Sequence, residues 1–332
     1  MESCKANVGL IATPEYLSSA LHFTSIISTP IHFFGFFCIL FKTPDHMKSV
    51  KWYLVNLHVW IVLLDYSLGF LFIPYLLLPF LAGFPLGILR LFGIPTIYQC
   101  LFLILVLGYL LTSIVAVFEN RFYVVCSFSG KESWKFWRRY WLAGHYIVTF
   151  LIVLSLLAVV PDQKSARQRL LEKIPCVERY AYEEELLVFA EDPLLCFILC
   201  VVYAFLMIGQ PFLFVGFLIT YTFRQLKKRT MSQKTSTLQR KFLLALGIQM
   251  EVPLVMFLLP FIYGWISILS GYHNQSFVNI AMTIGAFHGF VSTVVMIFVH
   301  YPYRETLFNM FIETRMLRQK LVEKEVTQRA GY

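Results

Sequence analysis

Seven long, continuously apolar stretches divide this chain, and the loops between them carry their positive charge almost entirely on one side. The stretches run over 17–41, 53–81, 97–118, 140–160, 194–221, 242–269 and 277–300. A helix crossing a hydrocarbon core of ~30 Å needs roughly 20 apolar residues. Membrane barrels use strands of about 10 residues that alternate apolar with polar. Unbroken runs such as 101–111 therefore predict helices. Only 14% of the residues are charged, against about 25% in ordinary soluble domains. The expected fold is an all-α membrane protein, a seven-transmembrane helix bundle. The predicted division is a short extracellular N-terminus over 1–16, the bundle over 17–300, and a cytoplasmic tail with a short helix over 301–332.

Seven crossings put the two termini on opposite sides. Of the 28 Lys and Arg residues, 21 fall on the side of the tail and seven on that of the N-terminus. Cytoplasmic loops retain excess Lys and Arg, so the N-terminus is expected outside and the tail inside. The net charge of +9 then reflects topology and attraction to anionic lipid of the bilayer, with no nucleic-acid partner. No cleavable signal peptide is evident, and the first stretch, followed by Lys42, Lys48 and Lys51, can serve as its own insertion signal.

The cysteines sort by compartment. Cys38, Cys196 and Cys200 lie in apolar stretches and read as small hydrophobes. Cys100, at the outer end of the third stretch, and Cys176, in the outer loop 161–193, face an oxidising compartment. One reading is a disulfide between them; the others are a free thiol or pairing with Cys4. Arg121 lies 21 residues beyond Cys100, about 31 Å along a helix and so at the inner end. Its neighbours are Glu119 and Asn120. It can reach the cytoplasm, pair with Glu119, meet a partner protein, or simply obey the positive-inside rule. Arg224, Lys227 and Lys228 begin the basic third inner loop.

Asp65 and Glu251 lie deep in the second and sixth stretches. Ionisable groups at such depth are costly and face a polar cavity or a partner, so both are candidates for an intramembrane switch or an ion site. The alternative is a protonated acid bonded to a neighbouring helix. Pro30, Pro74, Pro79, Pro211, Pro253 and Pro260 predict kinks. Gly285 and Gly289 have a spacing that permits close helix contact. Asn274-Gln275-Ser276 is a glycosylation sequon beside the membrane, and His145, His288 and His300 read as structural or interfacial. Phosphate-loop, dinucleotide and zinc-protease signatures are missing; no enzyme activity, cofactor or metal is expected.

Several segments together resemble the nematode serpentine chemoreceptors of class H, within the Str superfamily. They are Asn56-Leu57-His58-Val59-Trp60 with Leu63-Leu64-Asp65, then Ile73-Pro74-Tyr75, and Leu81-Ala82-Gly83-Phe84-Pro85-Leu86-Gly87. Leu246-Gly247-Ile248-Gln249 before Pro253, and Ser292-Thr293 followed by His300-Tyr301-Pro302-Tyr303-Arg304, complete the set. The resemblance implies a chemosensory G protein-coupled receptor in the plasma membrane of sensory cilia. Its partners would be a small-molecule ligand, held in the outer half of the bundle, and a heterotrimeric G protein. It makes Arg121 the counterpart of the arginine at the inner end of helix three in rhodopsin-like receptors. Here the acid, Glu119, stands one residue further upstream, and Tyr301-Pro302-Tyr303-Arg304 lies near the place of the absent N-P-x-x-Y motif. The competing readings are a transporter or ligand-gated channel using Asp65 and Glu251, and a non-signalling membrane partner that helps other receptors traffic.

Overall fold

The computed structural model describes residues 9–173, 185–227 and 233–330. Its long helices are α1 (Pro14–Phe41), α2 (Lys48–Tyr66), α3 (Thr96–Val125), α4 (Lys131–Ser155), α6 (Pro193–Lys227) and α7 (Gln233–Ser270). The last crossing is split into α8 (Gln275–Ala286) and α9 (His288–Val299), and the tail forms α10 (Tyr301–Ala330). A short helix, α5 (Gln163–Lys173), lies in the 161–193 segment. Among the described residues, six helical segments are long and apolar enough to span a bilayer, and α7 adds a shorter apolar portion, Val255–Ser270. Together they make the seven-helix arrangement. The face of the bundle that carries Leu10 is called here the N-terminal face; the opposite one is the C-terminal face.

Local chemistry sets the helix starts. Thr13 caps α1, its hydroxyl accepting from Tyr16 N at 3.2 Å, and Pro14 follows where a missing N–H costs nothing. Helix α2 starts after the Asp45–Met47 turn and continues through a π-helical segment, Ser67–Leu71. The second crossing is thus Lys48–Leu71, displaced toward the N-terminus relative to the expected 53–81.

The remainder of that apolar run is not helix, and Pro74 and Pro79 do not kink one. Pro74–Leu76 forms strand β1, and Leu81–Pro85 forms β2. They pair antiparallel, with Tyr75 opposite Phe84, and β2 also pairs antiparallel with β3 (Leu187–Ala190). Prolines at a strand start and in a hairpin turn forfeit no ladder bond that the sheet needs. The sheet packs downward. Ile73, Tyr75, Phe84, Leu186 and Val188 share one apolar cluster with Leu17, Leu64 and Leu110 of the bundle. The Tyr75 hydroxyl donates to Ala12 O at 2.6 Å, and Asn279 Nδ2 donates to Ile11 O at 2.8 Å. Sheet and N-terminal segment therefore plug the N-terminal face. A second cluster, including Ile39, Val50, Phe118, Met296 and Tyr303, closes the other end.

Gly83 makes the sheet's close approach feasible, since a Cβ there would lie 2.4 Å from Tyr75 O. Gly83→Val is expected to destabilise the folded protein by about 1–3 kcal/mol and to lower its surface expression. Gly209→Ala, where a Cβ meets nothing within 4 Å, is the matched control. Equal surface levels for the two variants would show that the plug contributes little.

Candidate functional site

Asp65 is 4% exposed and is approached by three groups from two neighbouring helices. From α1, His32 Nε2 lies 2.9 Å from Asp65 Oδ2. From α9, the Gly289 backbone N–H donates to Oδ1 at 3.2 Å. His288 Nδ1 lies at ion-pair distance from the same oxygen, 3.2 Å, though not aligned as a hydrogen bond. The break between α8 and α9 makes this contact feasible. Phe287 interrupts the crossing, and the N–H of Gly289 turns to the carboxylate. A Cβ on Gly289 would lie 2.1 Å from Asp65 Oδ2, so only glycine lets the carboxylate rest against this backbone. Gly285, its partner in the predicted close-contact spacing, has no neighbour within 4 Å of a built Cβ.

The network extends through the bundle. His32 Nδ1 is 3.1 Å from Thr293 Oγ1, and His58 Nε2 donates to His32 O at 3.1 Å. Further along α2, Asn56 Nδ2 donates to Ser113 Oγ at 2.7 Å and to Tyr146 OH at 2.8 Å, while Trp60 Nε1 donates to Asn56 Oδ1. The Asn56-x-His58-x-Trp60 segment is thus the polar seam joining α2 to α1, α3 and α4.

A second cluster lies near the C-terminal face. Glu119 of α3 is buried, yet its ion pair is with Arg138 of α4, at 2.7 Å, and not with Arg121. Trp134 Nε1 donates to its other oxygen at 2.8 Å. Arg138 also donates to Asn120 Oδ1 at 3.0 Å and lies over the Tyr123 ring at 4.1 Å. Asn120 Nδ2 donates to Ser49 O at 3.1 Å. Arg121 is 6% exposed and sits within electrostatic range of Tyr303 and His300. Tyr303 is buried and bonded through its hydroxyl to Thr43 at 2.8 Å. Pro302 opens α10, and Arg304 Nη1 donates to Phe298 O at 3.2 Å. Arg224 and Lys227 project from the exposed end of α6; Lys228 lies outside the described residues.

Other expected groups do not join these clusters. Glu251 is exposed, on a face of α7 shared with Ile248, Val255, Leu259 and Ile262, and does not approach Asp65. Cys100 carries a free thiol, and Cys176 lies outside the described residues. Asn274 caps α8, its Oδ1 accepting from Phe277 N at 3.2 Å. No sequence motif marks His32 or Arg138 as site residues, and His288 reads from sequence as structural or interfacial. An ionisable side chain inside an apolar stretch was the available signal for His32 and His288.

The fold is a seven-helix membrane bundle with a buried polar seam along α2 and an ion pair at the end of α3. The family model described as the serpentine type 7TM GPCR chemoreceptor Srh matches residues 12–313, and the chain belongs to that family. It is also 28% identical over 314 residues to serpentine receptor class H-72 of Caenorhabditis elegans, covering 94% of this chain and 90% of that protein. Members are chemoreceptors, not enzymes.

Two outcomes follow for stability. Arg138→Met strands the Glu119 carboxylate in the interior and is expected to cost about 3–5 kcal/mol, with much of the loss recovered in Glu119→Gln/Arg138→Met; thermal unfolding in nanodiscs reads both. Gly289→Ala is expected to abolish correctly folded receptor on fluorescence size-exclusion chromatography, whereas Gly285→Ala leaves the profile unchanged.

Proposed function

We propose that this protein is a chemosensory receptor that binds a small external molecule and activates a heterotrimeric G protein. The observation that carries this reading is membership of the Srh chemoreceptor family across residues 12–313. The N-terminus lies outside and the tail in the cytoplasm, in keeping with the distribution of Lys and Arg. The plasma membrane of sensory cilia is its site of action by family likeness.

In this orientation the C-terminal face presents the groups a cytoplasmic partner meets. Arg121 lies buried beside Tyr303 and His300, on a different side of α3 from the Glu119–Arg138 pair, and Arg224 and Lys227 extend exposed from α6. The N-terminal face is filled by the three-stranded sheet and its apolar underside. A ligand entering there acts by favouring an arrangement in which the sheet and the helices beneath it have shifted, since ligands move equilibria only through differential affinity. A transporter or channel built on Asp65 and Glu251 draws less support, because Asp65 is buried among α1, α2 and α9 whereas Glu251 is exposed on α7.

The test is expression with a promiscuous G protein and a screen of small odorant and pheromone-like molecules. An agonist is expected, and Arg121→Ala is expected to weaken its signal on the order of tenfold at unchanged surface level. Ligand-evoked current without any G protein would move the reading to a channel. Ciliary delivery of other receptors with no response of its own would move it to a trafficking partner. Full signalling by Arg121→Ala would remove that residue from the coupling surface.

A further inference from the structure

The hydrogens around Asp65 can be counted. Thr293 has one hydroxyl hydrogen, and it donates that hydrogen to Gly289 O at 2.8 Å. The Thr293 hydroxyl oxygen also lies 3.1 Å from His32 Nδ1. With its hydrogen already spent, the hydroxyl acts there only as an acceptor, so His32 Nδ1 carries a hydrogen. On the other side of the ring, Nε2 faces Asp65 Oδ2 at 2.9 Å, a distance that needs a second hydrogen between them. A neutral imidazole has one N–H. In the arrangement where Thr293 donates to Gly289 O, the pair therefore holds one proton more than a neutral histidine beside a carboxylate. It is either an imidazolium donating to a carboxylate, or a neutral imidazole accepting from a carboxylic acid. Both forms have the same composition and no net charge.

The arrangement without that proton is also well defined. The Thr293 hydroxyl would rotate to give its hydrogen to His32 Nδ1, leaving Nε2–H to donate to an ionised Asp65. A carboxylate charge would then stand within an apolar bundle with only His288 among the described residues, at 3.2 Å, close enough to offset it, and burial penalises such a charge heavily.

A small cavity, about 30 Å³ in volume, lies on the far side of His58, His288 and Thr293, the residues that contact the pair. His58, His288, Ser292 and Thr293 supply its polar lining. His288 Nε2 and Ser292 Oγ are buried without a hydrogen-bond partner in the protein. A void needs roughly 10–15 Å³ of such space and two to four polar partners to hold a water, so this one is large enough for water. His288 bridges the two regions, with Nδ1 beside Asp65 and its ring at the cavity wall.

We propose that His32 and Asp65 form a proton-binding site, loaded in this conformation, that exchanges its proton through His288 and the water cavity. Among the described residues, the titratable groups facing the pair are His58 from α2 and His288 from α9. Helix α3 contributes Leu110 and Ile114 to the cavity, and α7 places the Phe257 ring 4.3 Å from that of His288. The donors do not converge on a metal: no group of three His, Cys, Asp or Glu side chains among the described residues has a suitable geometry. Because the proton neutralises a junction of α1, α2 and α9, its binding is linked to the arrangement of those helices.

The test uses the full chain in lipid nanodiscs, with ring-¹⁵N-labelled histidine, and needs neither ligand nor G protein. At about pH 8.5 ordinary histidines are neutral. The wild type is expected to show either one imidazole with both ring nitrogens protonated, or a protonated carboxyl stretch in the infrared. That signal is expected to disappear in Asp65→Asn and in His32→Gln. Its absence from the wild type overturns the proposal whether or not either variant folds. Ser292→Leu, which fills the cavity, is expected to slow exchange of the proton with D₂O several-fold; an unchanged rate would overturn the route and leave the site.

Discussion

A carboxyl group in the middle of an apolar bundle must find its partners there, because lipid offers none. Asp65 projects from α2, and its partners come from two other crossings: α1 through His32, and α9 through Gly289 and His288. Much of the architecture accommodates this meeting. The last crossing breaks at Phe287, so that one backbone N–H is free to turn inward, and glycine at 289 lets the carboxylate approach. His58, about two turns from Asp65 along α2, ties that helix to the backbone of α1 at His32 O. Hydrophobic burial does not choose between helix neighbours when lipid tails are equally apolar. Polar contacts such as these select the register.

The two ends of the bundle use different physics. At the N-terminal face, backbone pairing across β1, β2 and β3 lays apolar side chains onto the helix core, with the N-terminal segment strapped over them. At the C-terminal face, a buried acid is neutralised by Arg138, which leaves Arg121 beside Tyr303 and His300 instead of locked to Glu119. The offset of the acid by one residue has a structural counterpart. Glu119 and Arg121 are two positions apart, so they point to different sides of α3, and α4 supplies the cation that Glu119 needs.

The seven crossings were legible because apolarity is a property of a contiguous segment, visible in a run such as 101–111. The sheet was not. Residues 74–85 are as apolar as a helix, and strands of three and five residues carry too little periodicity to mark themselves. The pairing that decides their state joins Ala82 to Val188, far along the chain. The two intramembrane acids illustrate the same divide. Asp65 and Glu251 look alike in sequence, but one is wrapped by histidines and the other faces outward on α7.

By itself the amino-acid sequence determined the class of protein, the approximate crossings and the family resemblance, all of which rest on local composition and short motifs. Only the tertiary structure decided which polar groups meet: His32 with Asp65, Gly289 with a carboxylate 224 positions away, and Arg138 with Glu119. Partition into a membrane accumulates along each segment of chain, whereas a hydrogen bond depends on where two distant atoms are placed by every helix packed between them.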